Sequence, residues 1–524
     1  MNNNKSSTIE EVFKLAVKNH QQNKLGVAQD LYNKILKVNP DHSQALNNLA
    51  NIFEDLGENQ KATNCYEKAI EINPNYVDAH YNLGNIFRKL GQIQKAKDCF
   101  EKAIEIDPSY VKAHNNLGII FKDLGENQKA KECFKKTIEL NPNYADAHNN
   151  LGNIFKSLGE NQKAKECFEK AIEINPNYID AHANLTNLHI GTLDDLEKPI
   201  NLSYKTLKIF HKNFKFIDQS ISLNRLKHDV SQAKYISQTG AFWKFFKSKK
   251  YKVNGIDEFQ IVGSKILSRS ENKEDNDKKI ILTPQEVSAL LPFYKSECIY
   301  KPKIISGSCI NANKNWQKVE DEYFNSEKQI IFIDDFLSDE ALIELREFCL
   351  ISKVWNREYN NKYLGAFSNS GFISPIHLQI AIELKKELPK LFGPHKIEKF
   401  WGFKYDTTLG KGINIHADFA VHNLNFWITP DEFNNNKNTG GLKVYDTPSP
   451  ENWPFETYNN DKKKIYKFLE DNNAKCTNIP YKFNRAVLFN SAYFHETDEI
   501  DFKDKYEGRR INMTYLFGSR NIRI

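Results

Sequence analysis

The chain has 524 residues, 27% of them charged, and a formal net charge of only +6, which leaves room for about three domains of ordinary size and a sizeable core. No basic block stands out from the acidic background, so nothing points to nucleic acid. No apolar run is long enough to span a bilayer, and no signal-peptide-like segment follows Met1-Asn2-Asn3-Asn4-Lys5-Ser6, which predicts a soluble, cytoplasmic protein with no membrane partner.

Pro40, Pro74, Pro108, Pro142 and Pro176 recur at intervals of 34 residues, the period of a helix-turn-helix solenoid, and predict an all-α array over residues 8–195. In one unit, Leu83, Ile86, Phe87 and Leu90 form an apolar stripe at helical spacing, Gly84 permits close helix approach and Gly91 stops the helix. The second helix turns Ala96, Phe100 and Ala103 inward, and Asp107-Pro108 begins the next unit. Cys65, Cys99, Cys133 and Cys167 belong to the same repeat and read as small buried apolar side chains. Cys298, Cys309, Cys349 and Cys476 show no C-x-x-C spacing, which argues against a zinc ribbon.

These units resemble tetratricopeptide repeats in their small and large apolar positions, their glycine and their proline. His80, His114, His148 and His182 stand where many such repeats carry tryptophan, and read as aromatic stand-ins at repeat junctions rather than metal ligands. Asn48, Asn82, Asn116, Asn150 and Asn184 recur one residue before the repeated leucine. Asn51, Asn85, Asn153 and Asn187 follow three residues on, on the same helical face. A ladder of amides along a concave surface can bond the backbone of an extended peptide whatever its sequence; the alternative is that asparagine merely tolerates solvent there. The ladder is similar to that of the repeats of O-linked N-acetylglucosamine transferases. Nothing after residue 200 resembles that enzyme's catalytic half.

Residues 196–325 read as a helical capping or linker region. Leu223 to Ile236 has helical apolar spacing and is expected to cap the solenoid, and its adjacent His228-Asp229 pair reads as structural. Ser268 to Lys279 is a charged loop.

From Gln329 onward, a strand (Gln329 to Leu337) and a helix N-capped by Ser338 lead into short strand-like runs: Phe400–Tyr405, Gly412–Asp418, Val421–Thr429, Gly440–Asp446, Arg485–Asn490 and Arg510–Phe517. This pattern predicts a jelly-roll (double-stranded β-helix) domain with flanking helices over residues 326–524. His416 and Asp418, two apart on a strand, point the same way. With His495 they make two histidines and one carboxylate, the facial triad of non-haem Fe(II) oxygenases. Arg510, Asn512 and Thr514 share one strand face, opposite Ile511, Met513 and Tyr515.

The last 200 or so residues resemble the 2-oxoglutarate- and Fe(II)-dependent dioxygenases of the prolyl 4-hydroxylase-like branch. Gly440-Gly441-Leu442-Lys443-Val444-Tyr445 is similar to the strand after the first two ligands, and Asn484 to Ser491 to the strand leading to the distal histidine. The resemblance implies that His416, Asp418 and His495 are the catalytic metal ligands. It implies that Arg510, preferred to Arg509, holds the distal carboxylate of 2-oxoglutarate, a task that suits a guanidinium. Asn512 lies on the same cosubstrate-facing side. Tyr405 is similar to a family tyrosine that reaches the cosubstrate, or is a core aromatic. Fe(II), 2-oxoglutarate and O2 are the implied cofactors, and decarboxylation of 2-oxoglutarate to succinate drives hydroxylation of a C–H bond. Prolyl hydroxylases often carry lysine in place of this arginine, so a prolyl target does not follow. Substrate contacts are expected from a lid over Thr447 to Lys475, with Trp453, Phe455 and Tyr458, and secondarily from His422 and Trp427.

The whole reads as a hydroxylase of a protein or peptide recruited by the repeats. Its rivals are an oxygenase of a small molecule or glycan with the repeats used for assembly, and a repeat scaffold with an inert barrel.

Overall fold

The computed structural model describes residues 8–192, 197–216, 219–238, 255–270, 279–296, 298–359, 363–405 and 412–520. They divide between two units, Met1–Pro176 and Asn177–Ile524. The expected boundary at 195/196 and most of the charged loop 268–279 lie outside the described residues.

In the first unit helices pair in chain order, beginning with Ile9–Gln21 and Leu25–Val38 and continuing through pairs such as Val111–Asp123 and Asn127–Leu140. The first pair turns at Asn23, with φ of 57°, and the four that follow turn at a glycine in the left-handed region, Gly57, Gly91, Gly125 and Gly159, with φ of 75°, 72°, 75° and 76°, a conformation that costs glycine least. The apolar stripe packs as its spacing implies: Ile86, Ala96, Phe100 and Ala103 are wholly buried. Leu90 departs from it and is 43% exposed, as are its equivalents Leu56, Leu124 and Leu158 at 50%, 47% and 46%, because each lies in the turn where the helix has already stopped. The repeat cysteines are half-buried thiols rather than core residues. The reason for glycine inside the first helix is steric. A Cβ on Gly118 would stand 2.7 Å from the Phe134 ring.

The second unit holds a two-stranded pair, β1 (Ser220–Ser222) with β2 (Lys279–Ile281), and two larger sheets. Its further strands are β3 (Ile330–Ile333), β4 (Arg357–Tyr359), β5 (Tyr363–Phe367), β6 (Ile397–Tyr405), β7 (Ala420–Trp427), β8 (Leu442–Pro448), β9 (Cys476–Ile479), β10 (Ala486–Asn490), β11 (Tyr493–Thr497) and β12 (Ile511–Ser519). The seven-stranded sheet runs β3-β10-β7-β12-β6-β5-β4 and the three-stranded sheet β11-β8-β9, all antiparallel. Strand alternation sorts the large sheet into two faces. One presents Leu424, Phe426, Met513, Tyr515 and Phe400 to a helical layer, forming a single core with residues from Ile190 to Phe517. The other presents Phe403, Tyr405, Trp427, Val487 and Phe489 to Leu442, Val444 and Ile479 of the small sheet.

The described part of residues 196–325 is therefore no separate linker: its Leu226, Phe259, Phe293 and Trp316 share the core of the sheet. The helix Leu223–Gln238 packs within the second unit. Gln232 donates to the carbonyls of Leu350 and Ser352, and His228 packs on Tyr506. His228 and Asp229 pair at 2.9 Å, with Arg225 closing the other carboxylate oxygen at 2.6 Å, so the pair is structural. Gly412 to Asp418 is not a regular strand. Its backbone donors alternate between β11 and the helix Phe455–Asn460, as His416 N–H to His495 and Ala417 N–H to Tyr458 show, which leaves no continuous ladder.

Two predictions follow from this packing. Gly118→Val should cost about 1–3 kcal/mol by overpacking against Phe134, read by urea denaturation, with Phe134→Leu recovering part; an unchanged midpoint would contradict the packing argument. His377 is fully buried against Phe400, and burial holds its pKa down at about 3; His211 is likewise lowered to about 3, by burial first and then by the charge of Lys353. In the unfolded chain both titrate near 6.5, so below that pH the unfolded state binds protons the folded state does not. Stability should be full above about pH 6.5 and fall as the pH drops toward 4, and His377→Leu should flatten the slope. A urea midpoint independent of pH over that window would be the contrary result.

Candidate metal centre

His416 and His495 face each other across an isolated antiparallel bridge, in which His416 N–H donates to the His495 carbonyl at 3.0 Å and His495 N–H returns the bond at 2.8 Å. The reciprocal pair fixes the two rings with centroids 4.3 Å apart. Two residues on, Asp418 N–H donates to the Ser491 carbonyl at 3.0 Å, which aims its carboxylate at the same point. One ligand atom from each of His416, Asp418 and His495 lies within 4.8 Å of the others. The sequence-predicted triad is thus brought together, although by bridge contacts rather than by strand alternation.

The surroundings suit a metal. The Nδ1 atoms of His416 and His495 lie 2.8 and 3.0 Å from the carbonyls of Asn414 and Tyr493. Protonation there leaves each Nε2 as the free donor, the arrangement of metal-bound histidines. Burial first, and then His495, lower the His416 pKa to about 4, so the ring is neutral at pH 7. Burial alone would raise the Asp418 carboxyl, but His495, His416 and Arg520 outweigh it and hold it below the usual range. A neutral His416 imidazole and an ionised Asp418 carboxylate can bind a divalent ion without first losing a proton.

A chain of buried amides supports Asp418, and sequence reasoning missed most of it. Asn423 donates to Asp418 Oδ2 at 2.5 Å, Asn425 to Asn423 Oδ1 at 2.5 Å, and Asn512 and Thr514 to Asn425 Oδ1 at 2.9 and 2.6 Å. Asn423 and Asn425 of β7 stand beside Leu516 and Thr514 of β12 on one face. The signal was the polar alternation of Asn423 and Asn425 within an otherwise apolar strand.

Arg510 lies on the same face of its chain as Asn512. It is 1% exposed and donates through Nε to the Gly440 carbonyl at 2.5 Å and through Nη2 to Gly441 at 3.2 Å. Its guanidinium sits 4.9 Å from the Tyr405 ring and 5.6 Å from Trp427. Among the described residues, Arg510 Nη1, the Tyr405 hydroxyl and Trp427 Nε1 are buried with no hydrogen-bond partner of good geometry. Buried donors without a well-formed hydrogen bond are rare and costly, and a guanidinium nitrogen flanked by two more of them fits a carboxylate. Burial raises the Tyr405 phenol pKa even against the field of Arg510, so it remains a donor. Arg509 lies instead near Tyr506, at 5.8 Å from that ring.

A cleft of about 420 Å³ opens onto His416 and Asp418. Its walls are not those expected. Trp453 packs on Phe468 at 5.1 Å and on Phe494 at 6.2 Å, and Tyr458 is 1% exposed, so these residues form a small core of their own. The Phe455 side chain lies outside the described residues. Among the described residues of the expected lid, only Asn459 and Asn460 line the cleft. His422 accompanies Tyr323 and His395 away from it, and Trp427 is wholly buried beside Arg510. The wall comes from β4, β5 and β6, through Arg357, Tyr359, Tyr363, Trp401 and Phe403.

In the repeats, Asn82 donates to Asn47 and Asn51 at 3.2 and 3.3 Å, Asn116 to Asn85 at 2.7 Å, and Asn150 to Asn115 at 3.3 Å. The amides clasp successive repeats as well as sharing a face. Asn48 accepts from Asn47 at 3.3 Å, and Asn184 falls in the second unit. His80, His114 and His148 each place Nε2 2.9 Å from the carbonyl of Pro74, Pro108 or Pro142, a role in the turn rather than in metal binding.

Tetratricopeptide repeat models match residues 77–110, 111–144 and 145–178, and further repeat models of that kind match 50–91 and 31–63. Among solved structures, YrrB, a tetratricopeptide repeat protein with an unusual peptide-binding site, is 25% identical, with 34% of this chain and 91% of that one covered and a TM-score of 0.30. MamA from Desulfovibrio magneticus is 19% identical, covering 32% and 96%, with a TM-score of 0.30. PilF of Pseudomonas aeruginosa is 17% identical, covering 38% and 91%, with a TM-score of 0.36. No curated protein matches the chain. The N-terminal unit is an array of tetratricopeptide repeats. Among the described residues, no helix is long and apolar enough to cross a membrane.

The site predicts that the chain binds Co(II) or Zn(II) with one ion per molecule, and that Asp418→Ala or His495→Ala abolishes binding. Asn423→Ala should weaken it by roughly 10–100-fold through the loosened carboxylate. Calorimetric titration decides; full affinity in Asp418→Ala would contradict the site.

Proposed function

We propose that this chain is an Fe(II)- and 2-oxoglutarate-dependent oxygenase of double-stranded β-helix architecture, which hydroxylates a side chain of a polypeptide recruited by its repeats. The observation that carries the reading is the convergence of His416, Asp418 and His495 within 4.8 Å, with the buried donors Arg510 Nη1, Tyr405 hydroxyl and Trp427 Nε1, none in a well-formed hydrogen bond, as its complement. Iron and 2-oxoglutarate bound there would supply the activation of O2 that C–H hydroxylation needs.

The chain's own residues have separate tasks. His416 and His495 would hold the metal from the two sides of their isolated bridge, and Asp418 would offset part of its charge with a carboxylate braced by Asn423. Arg510 binds the distal carboxylate of the cosubstrate, helped by the Tyr405 hydroxyl, while Asn512 keeps the amide chain in register. Asp418, His495, Arg510, Tyr405 and Asn512 are buried, which limits water at the reacting centre to the cleft that opens onto His416. The repeats supply recognition: the faces carrying Asn48, Asn82, Asn116 and Asn150 keep amide groups that can bond an extended backbone, and tethering raises the target's effective concentration at the cleft.

Iron-supplemented protein should convert 2-oxoglutarate to succinate with uptake of O2. His495→Ala should eliminate turnover, and Arg510→Gln should raise the 2-oxoglutarate requirement by at least about tenfold, the loss of one charge-assisted contact. Metal-loaded wild type that forms no succinate would sink the proposal.

A further inference from the structure

The cleft beside His416 and Asp418 has an organised wall that, apart from Tyr405 at its Arg510 end, neither metal binding nor the Arg510 pocket uses. Register aligns Tyr359, Tyr363 and Tyr405 in one row across β4, β5 and β6, Arg357, Gly365 and Phe403 in the next, and Phe367 with Trp401 in a third. Lys399 lies two residues before Trp401 on β6. All point to the cleft face, because residues alternate along each strand. The rings are interlocked: Tyr359 stacks on Tyr363 at 4.6 Å, and Phe403 meets Tyr363 edge-on at 5.2 Å. Gly365 makes room for them, since a Cβ there would stand 2.8 Å from the Tyr359 ring and 3.1 Å from Phe403.

Charge on this wall has one sign. Arg357 lies with its guanidinium 4.5 Å from the Phe367 ring centre, and Lys399 carries its ammonium to 5.5 Å from Phe419. Among the described residues neither makes an ion pair with a carboxylate in the cleft, and Asp418, the one acid lining it, belongs to the triad. The acids next to them in sequence are turned elsewhere by alternation, and Glu358 accepts from the Ser222 hydroxyl. The remaining polar lining consists of neutral groups such as Asn369, Asn414 and Asn459. A low-dielectric aromatic wall strengthens the field of both cations.

We infer that the cleft takes a substrate group bearing an oxyanion, a carboxylate or phosphate, held by Arg357 and Lys399 while its flat apolar portion lies along Trp401 and Phe403 toward the triad. The inference rests on the oxygenase reading for what happens next, but not for binding. An arginine fork and a lysine ammonium provide charge-assisted hydrogen bonds that a neutral isostere cannot accept equally, and the aromatic rows discriminate by shape and stacking. The same chemistry can arrive as a free organic acid or as an acidic side chain on a peptide.

The test uses the full metal-free chain and Trp401-sensitive fluorescence, with calorimetry as a second readout. The probes are 3-phenylpropionate, phenyl phosphate, the neutral 3-phenylpropionamide, and a blocked Ala-Glu-Phe-Ala peptide with its glutamine counterpart. At least one acidic probe should bind about tenfold or more tightly than its neutral partner, and the preference should shrink as salt rises. Arg357→Gln/Lys399→Gln should erase the preference. Both side chains are at exposed positions, so its thermal midpoint should match wild type. Arg510→Gln should leave probe binding intact, which separates this cleft from the cosubstrate pocket. Preference for the free acids assigns a small-molecule source, and preference for the glutamate peptide alone assigns a peptide. Equal binding of acid and amide, full acid binding in the double variant, or its loss in Arg510→Gln would each overturn the inference. Failure of iron or 2-oxoglutarate to bind would leave these results unchanged and count only against the oxygenase reading.

Discussion

The reciprocal backbone pair between His416 and His495 is the contact on which the rest of the site depends. Neither strand segment is long: one residue of an irregular stretch meets β11, and two hydrogen bonds set the position of both imidazoles. Because ligand atoms must agree to within a fraction of an ångström, such a site needs support from outside the contact itself. That support comes from two directions. The Ser491 carbonyl and the Asn423 amide fix the third ligand, and the carbonyls of Asn414 and Tyr493 fix the ring tautomers.

The large sheet works as a partition. Its helical face closes an apolar core that includes helices from well before residue 325, while its other face is polar, aromatic and cationic in successive stretches. Along β6 the same alternation that buries Phe400, Gly402 and Lys404 on one side presents Lys399, Trp401, Phe403 and Tyr405 on the other. The larger apolar core is thereby on one face and the candidate site on the other. The close backbone approach at Gly441, where a Cβ would fall 1.9 Å from the Ile479 carbonyl, keeps the glycine carbonyls against Arg510.

What could be read in the sequence was whatever local spacing encodes. The repeat period, the helix stops, the H-x-D pair and the arginine two residues before Asn512 are all visible as short-range pattern. The parts that eluded reading depend on register between distant strands. Arg357, Tyr363 and Trp401 become neighbours through the pairing of β4, β5 and β6, and no spacing within any one segment announces it. The aromatic residues of 447–475 looked like a lid for the same reason: apolar side chains in an insertion carry no mark of which partner will bury them, and here Phe468 and Phe494 do. The span 196–325 looked like a linker because its helices show no repeat, although they complete the core of the sheet.

The central claim is that one metal and one 2-oxo acid are held together by the triad and Arg510. The most direct measurement is an anaerobic titration of metal-free protein with Fe(II) and 2-oxoglutarate, followed by visible absorption. The account predicts a charge-transfer band in wild type that is lost in His416→Ala. No band in folded, iron-bound wild type at saturating 2-oxoglutarate would contradict it, leaving a tetratricopeptide repeat protein whose second unit binds metal for another purpose.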